Sequence, residues 1–216
     1  MLYSTILFDL DGTLTDPKIG ITKCVKYALS KFGIEEPDLD ALVHFIGPPL
    51  LKSFQQTYGL SAEDALKAVG FYRERFVEVG MYENAVYPGV PEMLQQLRAQ
   101  GKELVVATSK PTVYSVTILD HFNLSSYFSK IVGSNLDGTR VEKAEVIEFA
   151  LSELTDRDKN AMVMVGDRMH DIIGAAQNGL PSVAVTYGYG TREELTQANP
   201  TYLVSTIQEL TEVISR

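Results

Sequence analysis

The chain has one cysteine, few basic residues and no long apolar run, and each shortage excludes a class of protein. The single cysteine, Cys24, excludes an internal disulfide bond and lies in a helical pattern typical of a small buried or half-buried residue. Lys and Arg number 19 against 28 Asp and Glu, a formal charge of −9 that argues against nucleic-acid polymers and anionic membranes as partners. No apolar run approaches the length of a bilayer span, and no charged-then-apolar leader opens the chain, so we expect a cytoplasmic protein.

The 216 residues, 45% of them hydrophobic, are enough for a sizeable core and an inserted module. Between 17 and 82, apolar residues recur at intervals of three and four, and no convincing strand occurs there. Before and after that block, short apolar runs alternate with helical patterns. We therefore predict an α/β core domain from 1–16 and 83–216, a Rossmann-like parallel sheet sandwiched by helices, with an all-helical cap domain inserted at 17–82.

The first apolar run, from Tyr3 to Phe8, predicts a buried strand that ends in two carboxylates. Asp9 and Asp11 are two apart, so on an extended backbone their side chains project to the same side. Two adjacent acids repel each other unless a proton or cation lies between them, which points to a hard divalent metal, Mg²⁺ first. Taken alone, an Asp-x-Asp-Gly stretch is more often an ordinary turn, because Asp-Gly is a common turn dipeptide.

A later strand, Ala161 to Val165, also leads into acids. Asp167 follows its end directly, and Asp171 lies one helical turn further on, so both carboxylates can face one cation. His170, between them, is either a hydrogen-bonding neighbour of that site or a surface residue.

A hydroxyl and a lysine complete the set of candidates. Thr108 follows the apolar run Leu104 to Ala107, at the strand end where ligands bind in open α/β sheets, although Thr before a helix is also a common cap. Lys143 opens a helix, where an ammonium is mildly unfavourable unless an anion lies nearby. A surface lysine beside Glu142 is the alternative.

Together these stretches resemble the signatures of the haloacid dehalogenase superfamily. Phe8–Leu14 is similar to the first signature, and Thr108, Lys143 and Gly166–Asp171 are similar to the second, third and fourth, in that order. The third departs from its commonest form, in which prolines follow the lysine, so Arg140 remains a second candidate for that role. The resemblance covers essentially the whole chain.

The resemblance implies a phosphoric monoester hydrolase. Asp9 is then the nucleophile that attacks phosphorus, and Asp11 is the general acid and base that distinguishes phosphate-transferring members from haloacid dehalogenases proper. Thr108, Ser109 and Lys143 would bind the phosphoryl oxygens.

The resemblance also implies a Mg²⁺ site. Asp167 and Asp171 would complete it with the Asp9 side chain and the backbone carbonyl of Asp11. The helical insertion corresponds to a C1-type cap.

The substrate is expected to be a small phosphomonoester, as in the phosphoglycolate phosphatase-like and bacterial 5′-nucleotidase-like members, acted on by a monomer or homodimer. A β-phosphoglucomutase-like transferase is the alternative, but Ile21 stands where such mutases have histidine on the first cap helix. A regulator without catalysis is disfavoured because every catalytic position is filled. In the insertion, lone residues such as His44 and Lys52 are usually solvated, and neither is assigned a role.

Overall fold

Residues 2–216 are described by a computed structural model in which the chain divides into two units. The core unit takes in the chain up to Asp16 and Val86–Arg216, and the inserted unit is Pro17–Ala85, where the sequence predicts an insertion at 17–82. Strands β2 (Thr15–Asp16) and β3 (Ala85–Val86) form a small two-stranded sheet. No helix in the described chain combines the length and the apolar character needed to cross a bilayer.

A six-stranded parallel sheet forms the centre of the core unit, in the order β5-β4-β1-β6-β7-β8. Its strands are β1 (Thr5–Phe8), β4 (Glu103–Pro111), β5 (Lys130–Ser134), β6 (Met162–Gly166), β7 (Ser182–Val185) and β8 (Tyr202–Val204). All residues of β1 and β6 are buried, as expected for central strands covered on both faces. The predicted α/β fold is confirmed.

Strand β4 is longer than the apolar run that predicts it. The sequence ends this strand at Ala107, where polar residues begin, but pairing continues to Pro111, which lies opposite Ser134 of β5. The hydroxyl of Ser134 also donates to the carbonyl of Ser109 at 2.8 Å. Backbone pairing with the neighbouring strand therefore extends β4 beyond the point at which apolar burial ends.

Helices cover the sheet and supply most of the side chains that pack against it. They are α4 (Val90–Ala99), α5 (Thr112–His121), α6 (Lys143–Ser152), α7 (Met169–Gln177), α8 (Arg192–Gln197) and α9 (Ile207–Ile214), with short 3₁₀ helices at Ser125–Tyr127 and Lys159–Ala161. On α6, Val146, Ile147 and Ala150 are buried in one cluster with Leu7 and Val105. Burying a large apolar side chain stabilises the fold by about 1.5–3 kcal/mol. The packing of α6 against the sheet thereby fixes the position of Lys143, its first residue.

The inserted unit consists of helices joined by loops up to Asn84. Its helices are α1 (Lys18–Ser30), a 3₁₀ helix (Asp40–Phe45), α2 (Leu50–Tyr58), α3 (Ala62–Arg75) and a π-helical turn (Phe76–Gly80). Glu83 forms ion pairs with Arg75 and Lys23, each with a nitrogen-to-oxygen distance of 2.7 Å. These pairs stabilise the charged carboxylate and so lower the pKa of Glu83. His44 contacts the Thr57 hydroxyl at 3.1 Å, so its ring connects the 3₁₀ helix to α2.

Candidate active site

Asp9 follows the last residue of β1 and is held at the carboxyl edge of the sheet. Its amide donates to the carbonyl of Val165 on β6 at 2.9 Å, and its Oδ1 accepts from the amide of Leu10 at 2.8 Å. Asp9 and Asp11 are both buried. The strand therefore ends in two carboxylates that are largely removed from solvent.

Strand β6 delivers two further acids to the same edge. Phe8 of β1 pairs with Val165, so Asp167 comes directly after the part of β6 that lies beside Asp9. Asp171 is in the first turn of α7, and its Oδ2 accepts from the amide of Arg168 at 3.0 Å. Carboxylate oxygens of Asp9, Asp167 and Asp171 all lie within 4.8 Å of one another.

This group of three buried carboxylates, called the acidic cluster below, fits a divalent cation. Burial raises the pKa of Asp167 well above its usual range, and the charges of Asp171 and Asp9 raise it further. Burial raises the pKa of Asp171 to about 6, although the nearby ammonium of Lys143 acts in the opposite direction. Carboxyl groups resist ionisation when they are buried and close to one another. A bound cation offsets their negative charges, so such a group is a good ligand set for a metal ion.

Glycine is needed beside the acidic cluster because the backbone approaches it closely. Gly12 has a φ of +83°, and a Cβ there would lie 2.1 Å from Oδ2 of Asp167. A Cβ on Gly166 would lie 2.2 Å from Cγ of Asp171. The Asp-Gly and Gly-Asp pairs of the sequence thus leave room for acids that a larger residue would displace, which supports a site built for a ligand.

Lys143 is buried and connects the acidic cluster to β4. Its Nζ lies 2.7 Å from Oδ1 of Asp9, 2.7 Å from Oδ1 of Asp171 and 3.1 Å from the carbonyl of Ala107. Three acceptors thus surround its three N–H groups. Burial alone would lower the pKa of Lys143, but the two carboxylates outweigh it and raise that pKa, so the ammonium stays charged.

The sequence left two alternatives for this position, a solvent-exposed Lys143 and Arg140 in its role, and the contacts of both residues bear on them. It is not a surface lysine, because α6 places it inside the site from the first helical position. Arg140, the second candidate for the same role, donates instead to the carbonyl of Gly133 at 2.8 Å and to Oδ1 of Asn135 at 3.0 Å, and it lies over the ring of Phe149.

Thr108 and Ser109 lie on the extended part of β4. Val106 pairs with Phe8, so Thr108 reaches the edge of the sheet at which Asp9 lies. Thr108 is buried, and its Oγ1 accepts from the amide of Lys110 at 3.3 Å. The contact of Thr108 and Ser109 with phosphoryl oxygens stays a prediction.

His170 is half-buried. Burial lowers the pKa of its imidazole, and the charge of Arg168 lowers it further, so the ring is mainly neutral at pH 7.

Lys110 is a site residue that the sequence-based prediction missed. Its Nζ lies 2.7 Å from Oδ2 of Asp11, and both side chains are almost fully buried. Burial raises the pKa of Asp11, and Lys110 opposes that effect. Oδ1 of Asp11 is buried and has no hydrogen-bond partner within residues 2–216. Alternation along β4 was the available signal, because residues two apart on a strand share a side, as Thr108 and Lys110 do.

We expect Lys110→Met to reduce kcat about 10- to 100-fold while the protein remains folded. Without the ammonium, Asp11 loses its ion pair with residue 110 and the orientation that this pair provides. Lys110→Arg keeps the charge and is the matched control, and it should retain more activity than the methionine variant. Equal activity in wild type and Lys110→Met would contradict this role.

Comparison with known proteins identifies the family of the chain. A family model described as haloacid dehalogenase-like hydrolase matches residues 6–185. A 5′-nucleotidase from Pseudomonas aeruginosa is 49% identical over 98% of this chain and 96% of its own length. The tyrosine-protein kinase PtkA of Mycobacterium tuberculosis is 37% identical over 97% of this chain and 72% of its own. A phosphoglycolate phosphatase from Aliivibrio fischeri is 30% identical over 97% of this chain and 96% of its own.

A solved structure extends the likeness to the whole fold. The crystal structure of a predicted phosphatase from Clostridium acetobutylicum superposes with a TM-score of 0.96 at 50% identity, and the match covers 99% of both chains. The predicted family and enzyme class are both confirmed. The chain belongs to the haloacid dehalogenase-like hydrolase family, as a phosphoric monoester hydrolase.

Proposed function

We propose that the protein is a Mg²⁺-dependent phosphatase that hydrolyses nucleoside 5′-monophosphates through a phosphorylated Asp9. One observation carries the proposal: the buried ammonium of Lys143 lies 2.7 Å from both Asp9 and Asp171. A nucleophilic carboxylate, a cation that can bind phosphoryl oxygens and a metal-ligand set are thereby brought together. Phosphoryl transfer depends mainly on such positioning and on electrostatic stabilisation.

Asp9 and Asp11 divide the chemistry between them. A carboxylate oxygen of Asp9 attacks phosphorus, the bond from phosphorus to the leaving oxygen breaks, and Asp11 gives that oxygen a proton. Asp11 then takes a proton from the water that attacks the phospho-aspartate, which releases phosphate and restores Asp9. Burial raises the pKa of Asp11 and so favours the protonated form that the first step needs.

The remaining site residues bind and orient. Thr108, Ser109 and Lys143 would hold the phosphoryl oxygens, and Lys143 also fixes the nucleophilic carboxylate through Oδ1 of Asp9. The side chains of Asp9, Asp167 and Asp171, with the backbone carbonyl of Asp11, would hold Mg²⁺. When bound, the cation neutralises charge on the phosphoryl oxygens and so reduces their repulsion of the attacking carboxylate.

Mg²⁺ is expected to stabilise the protein markedly. At 100 times its dissociation constant a ligand of the folded state contributes about 2.7 kcal/mol, which corresponds to an increase in Tm of roughly 5–10 °C for a chain of this size. Differential scanning calorimetry with and without chelator measures the shift. Asp167→Asn should reduce it strongly, because Asp167 is buried in the acidic cluster. A wild-type Tm that does not respond to Mg²⁺ would contradict the metal site.

Nucleoside 5′-monophosphates are the proposed substrate class because the Pseudomonas aeruginosa 5′-nucleotidase is 49% identical over nearly the whole chain. The phosphoglycolate phosphatase, at 30%, makes phosphoglycolate the second candidate. Phosphate release should be measured from a panel of these compounds, sugar phosphates and an aryl phosphate, with Mg²⁺ and with chelator. A higher kcat/KM for mononucleotides supports the proposal, whereas a preference for phosphoglycolate would replace it.

Transfer to an acceptor other than water is the second candidate, since one relative at 37% identity is named a tyrosine-protein kinase. The family resemblance gives transfer less support, because Ile21 occupies the position of the mutase histidine.

Turnover in H₂¹⁸O distinguishes hydrolysis from transfer. Incorporation of the label into released phosphate shows hydrolysis. Label-free phosphorylated product would show transfer.

Three further expectations keep the status of predictions. They are a cytoplasmic location, a monomer or homodimer, and the absence of nucleic-acid polymers and membranes as partners.

A further inference from the structure

The segment between β7 and α8 packs directly against the acidic cluster. It runs from 186 to 191, contains two Tyr-Gly pairs and is called the tyrosine loop below. Gly166 pairs with Ala184 in the parallel ladder of β6 and β7, so the loop leaves the same carboxyl edge of the sheet as Asp167. The chemistry proposed above assigns no role to this loop.

The backbone of the tyrosine loop contacts one of the proposed metal ligands. The amide of Tyr189 donates to Oδ2 of Asp167 at 2.7 Å. Asp167 is fully buried, and a buried carboxylate takes its orientation from the donors that the protein supplies, because solvent offers few competing ones. The orientation of this ligand therefore depends on where the loop places the amide of Tyr189.

Glycine at two positions allows the loop to approach Asp167 this closely. A Cβ on Gly188 would lie 2.4 Å from Oδ2 of Asp167 and 2.4 Å from the carbonyl oxygen of Gly12. A Cβ on Gly190 would lie 2.1 Å from the carbonyl oxygen of Asp167. These distances are below van der Waals contact, so a larger residue at either position displaces the loop or Asp167 itself.

Two tyrosine hydroxyls connect the loop to the segment that follows β1. The hydroxyl of Tyr187 donates to the carbonyl of Thr13 at 3.0 Å. The hydroxyl of Tyr189 donates to Oδ1 of Asp16, the last residue of β2. A hydrogen bond to a carboxylate is stronger than one between neutral groups, so the contact with Asp16 is the firmer of the two. Tyr189 thus contacts Asp167 through its backbone and Asp16 through its side chain.

We propose that Tyr189 is a positioning residue for the metal site. The hydrogen bond from its hydroxyl to Asp16 fixes the tyrosine loop, and the amide in that loop fixes the carboxylate of Asp167 in the orientation that Mg²⁺ requires. Groups that orient a metal ligand in this way typically change metal affinity about 10- to 100-fold when they are removed. The inference rests on the proposed Mg²⁺ site and extends it to a side chain outside the acidic cluster.

Isothermal titration of the metal-free full chain with Mg²⁺ tests the proposal. Tyr189→Phe removes only the hydroxyl and should raise the Kd for Mg²⁺ about tenfold. Tyr127→Phe removes a hydroxyl from the 3₁₀ helix that precedes β5, at the opposite edge of the sheet, and should leave the Kd unchanged. A wild type that binds no Mg²⁺ would overturn the metal site and this inference with it. Equal Kd values in wild type and Tyr189→Phe would overturn the role of Tyr189 alone.

The dependence of turnover on Mg²⁺ separates positioning from general damage to the fold. In Tyr189→Phe the Mg²⁺ concentration for half-maximal activity should rise about tenfold, and saturating Mg²⁺ should restore most of kcat. A reduced kcat that saturating Mg²⁺ does not restore, with an unchanged Mg²⁺ requirement, would contradict positioning through Asp167.

A double-mutant cycle with Asp16→Ala tests the link through the hydroxyl. Loss of Asp16 also removes a negative charge, which weakens cation binding by itself, but this contribution is present with either residue at 189 and cancels in the cycle. Tyr189→Phe should weaken Mg²⁺ binding about tenfold in the wild type and less than about twofold in Asp16→Ala. Equal weakening in the two backgrounds would show that the hydroxyl does not act through Asp16.

Gly188→Ala tests the close approach of the loop without changing a hydrogen-bonding group. Its Cβ displaces the loop or Asp167, so the Kd for Mg²⁺ should rise at least about tenfold. Gly70→Ala, on α3, is the matched control, because a Cβ there would meet no atom of the described residues within 4 Å. Wild-type affinity in a folded Gly188→Ala would show that the loop does not orient Asp167, which would overturn the proposal.

Discussion

Asp9→Asn is expected to abolish phosphate release, with kcat at least about 10⁴-fold below wild type. The amide is nearly isosteric with the carboxylate but is a poor nucleophile toward phosphorus. The backbone contact that positions residue 9, its amide to the carbonyl of Val165, is retained. Lys143 keeps its ion pair with Asp171 and its hydrogen bond to the carbonyl of Ala107, so the loss should appear mainly in catalysis.

The measurement is single-turnover phosphate release with Mg²⁺, combined with acid quenching to trap phosphoprotein. Wild type should accumulate an acid-stable, hydroxylamine-sensitive acyl phosphate, and Asp9→Asn should form none. Asp120→Asn, an exposed acid on α5, controls for the loss of one carboxylate and should behave as wild type. Residual activity within tenfold of wild type would exclude Asp9 as the nucleophile.

Lys143→Met is expected to damage both stability and catalysis. Removing the ammonium leaves the carboxylates of Asp9 and Asp171 buried without their common partner. Breaking a buried ion pair in this way costs about 3–5 kcal/mol of unfolding free energy. Loss of a cation aimed at the phosphoryl group should also lower kcat about 10²- to 10³-fold.

Chemical denaturation of metal-free protein measures the first effect. Mg²⁺ should reduce the stability deficit, because the cation takes over part of the neutralisation of the acidic cluster. Lys102→Met is a closely matched control, since this lysine is also fully buried but, within residues 2–216, its Nζ donates only to the carbonyl of Tyr3. It should cost no more than about 1 kcal/mol and leave kcat unchanged. Equal effects in the two variants would show that burial, and not the pairing with Asp9 and Asp171, determines the loss.

Most of the candidate site can be predicted from the sequence because its residues follow strands whose apolar runs are easy to recognise. Asp9 and Asp167 each come directly after such a run, and parallel strands present their carboxyl ends at one edge. Thr108 follows by the same reasoning. The chemical roles of these residues rest on their resemblance to family signatures and await the experiments above.

Lys143 and Lys110 show where local pattern stops being informative. Lys143 stands beside Glu142 and Glu145, a context typical of a solvated helix start, yet it is buried because α6 packs its apolar stripe against the sheet. Lys110 follows the point at which apolar residues end, and β4 continues past it to Pro111, which pairs with Ser134 of β5.

By itself, the sequence determined the α/β class, the family and the order of the acidic, hydroxyl and basic positions, because strand periodicity and short motifs are local properties of the chain. The tertiary structure alone decided which cation meets which carboxylate: Lys143 with Asp9 and Asp171, and Lys110 with Asp11. The physical reason is that an ion pair between distant residues depends on sheet register and on helix packing. Those long-range contacts determine which charges are buried together, and so which charges must be neutralised.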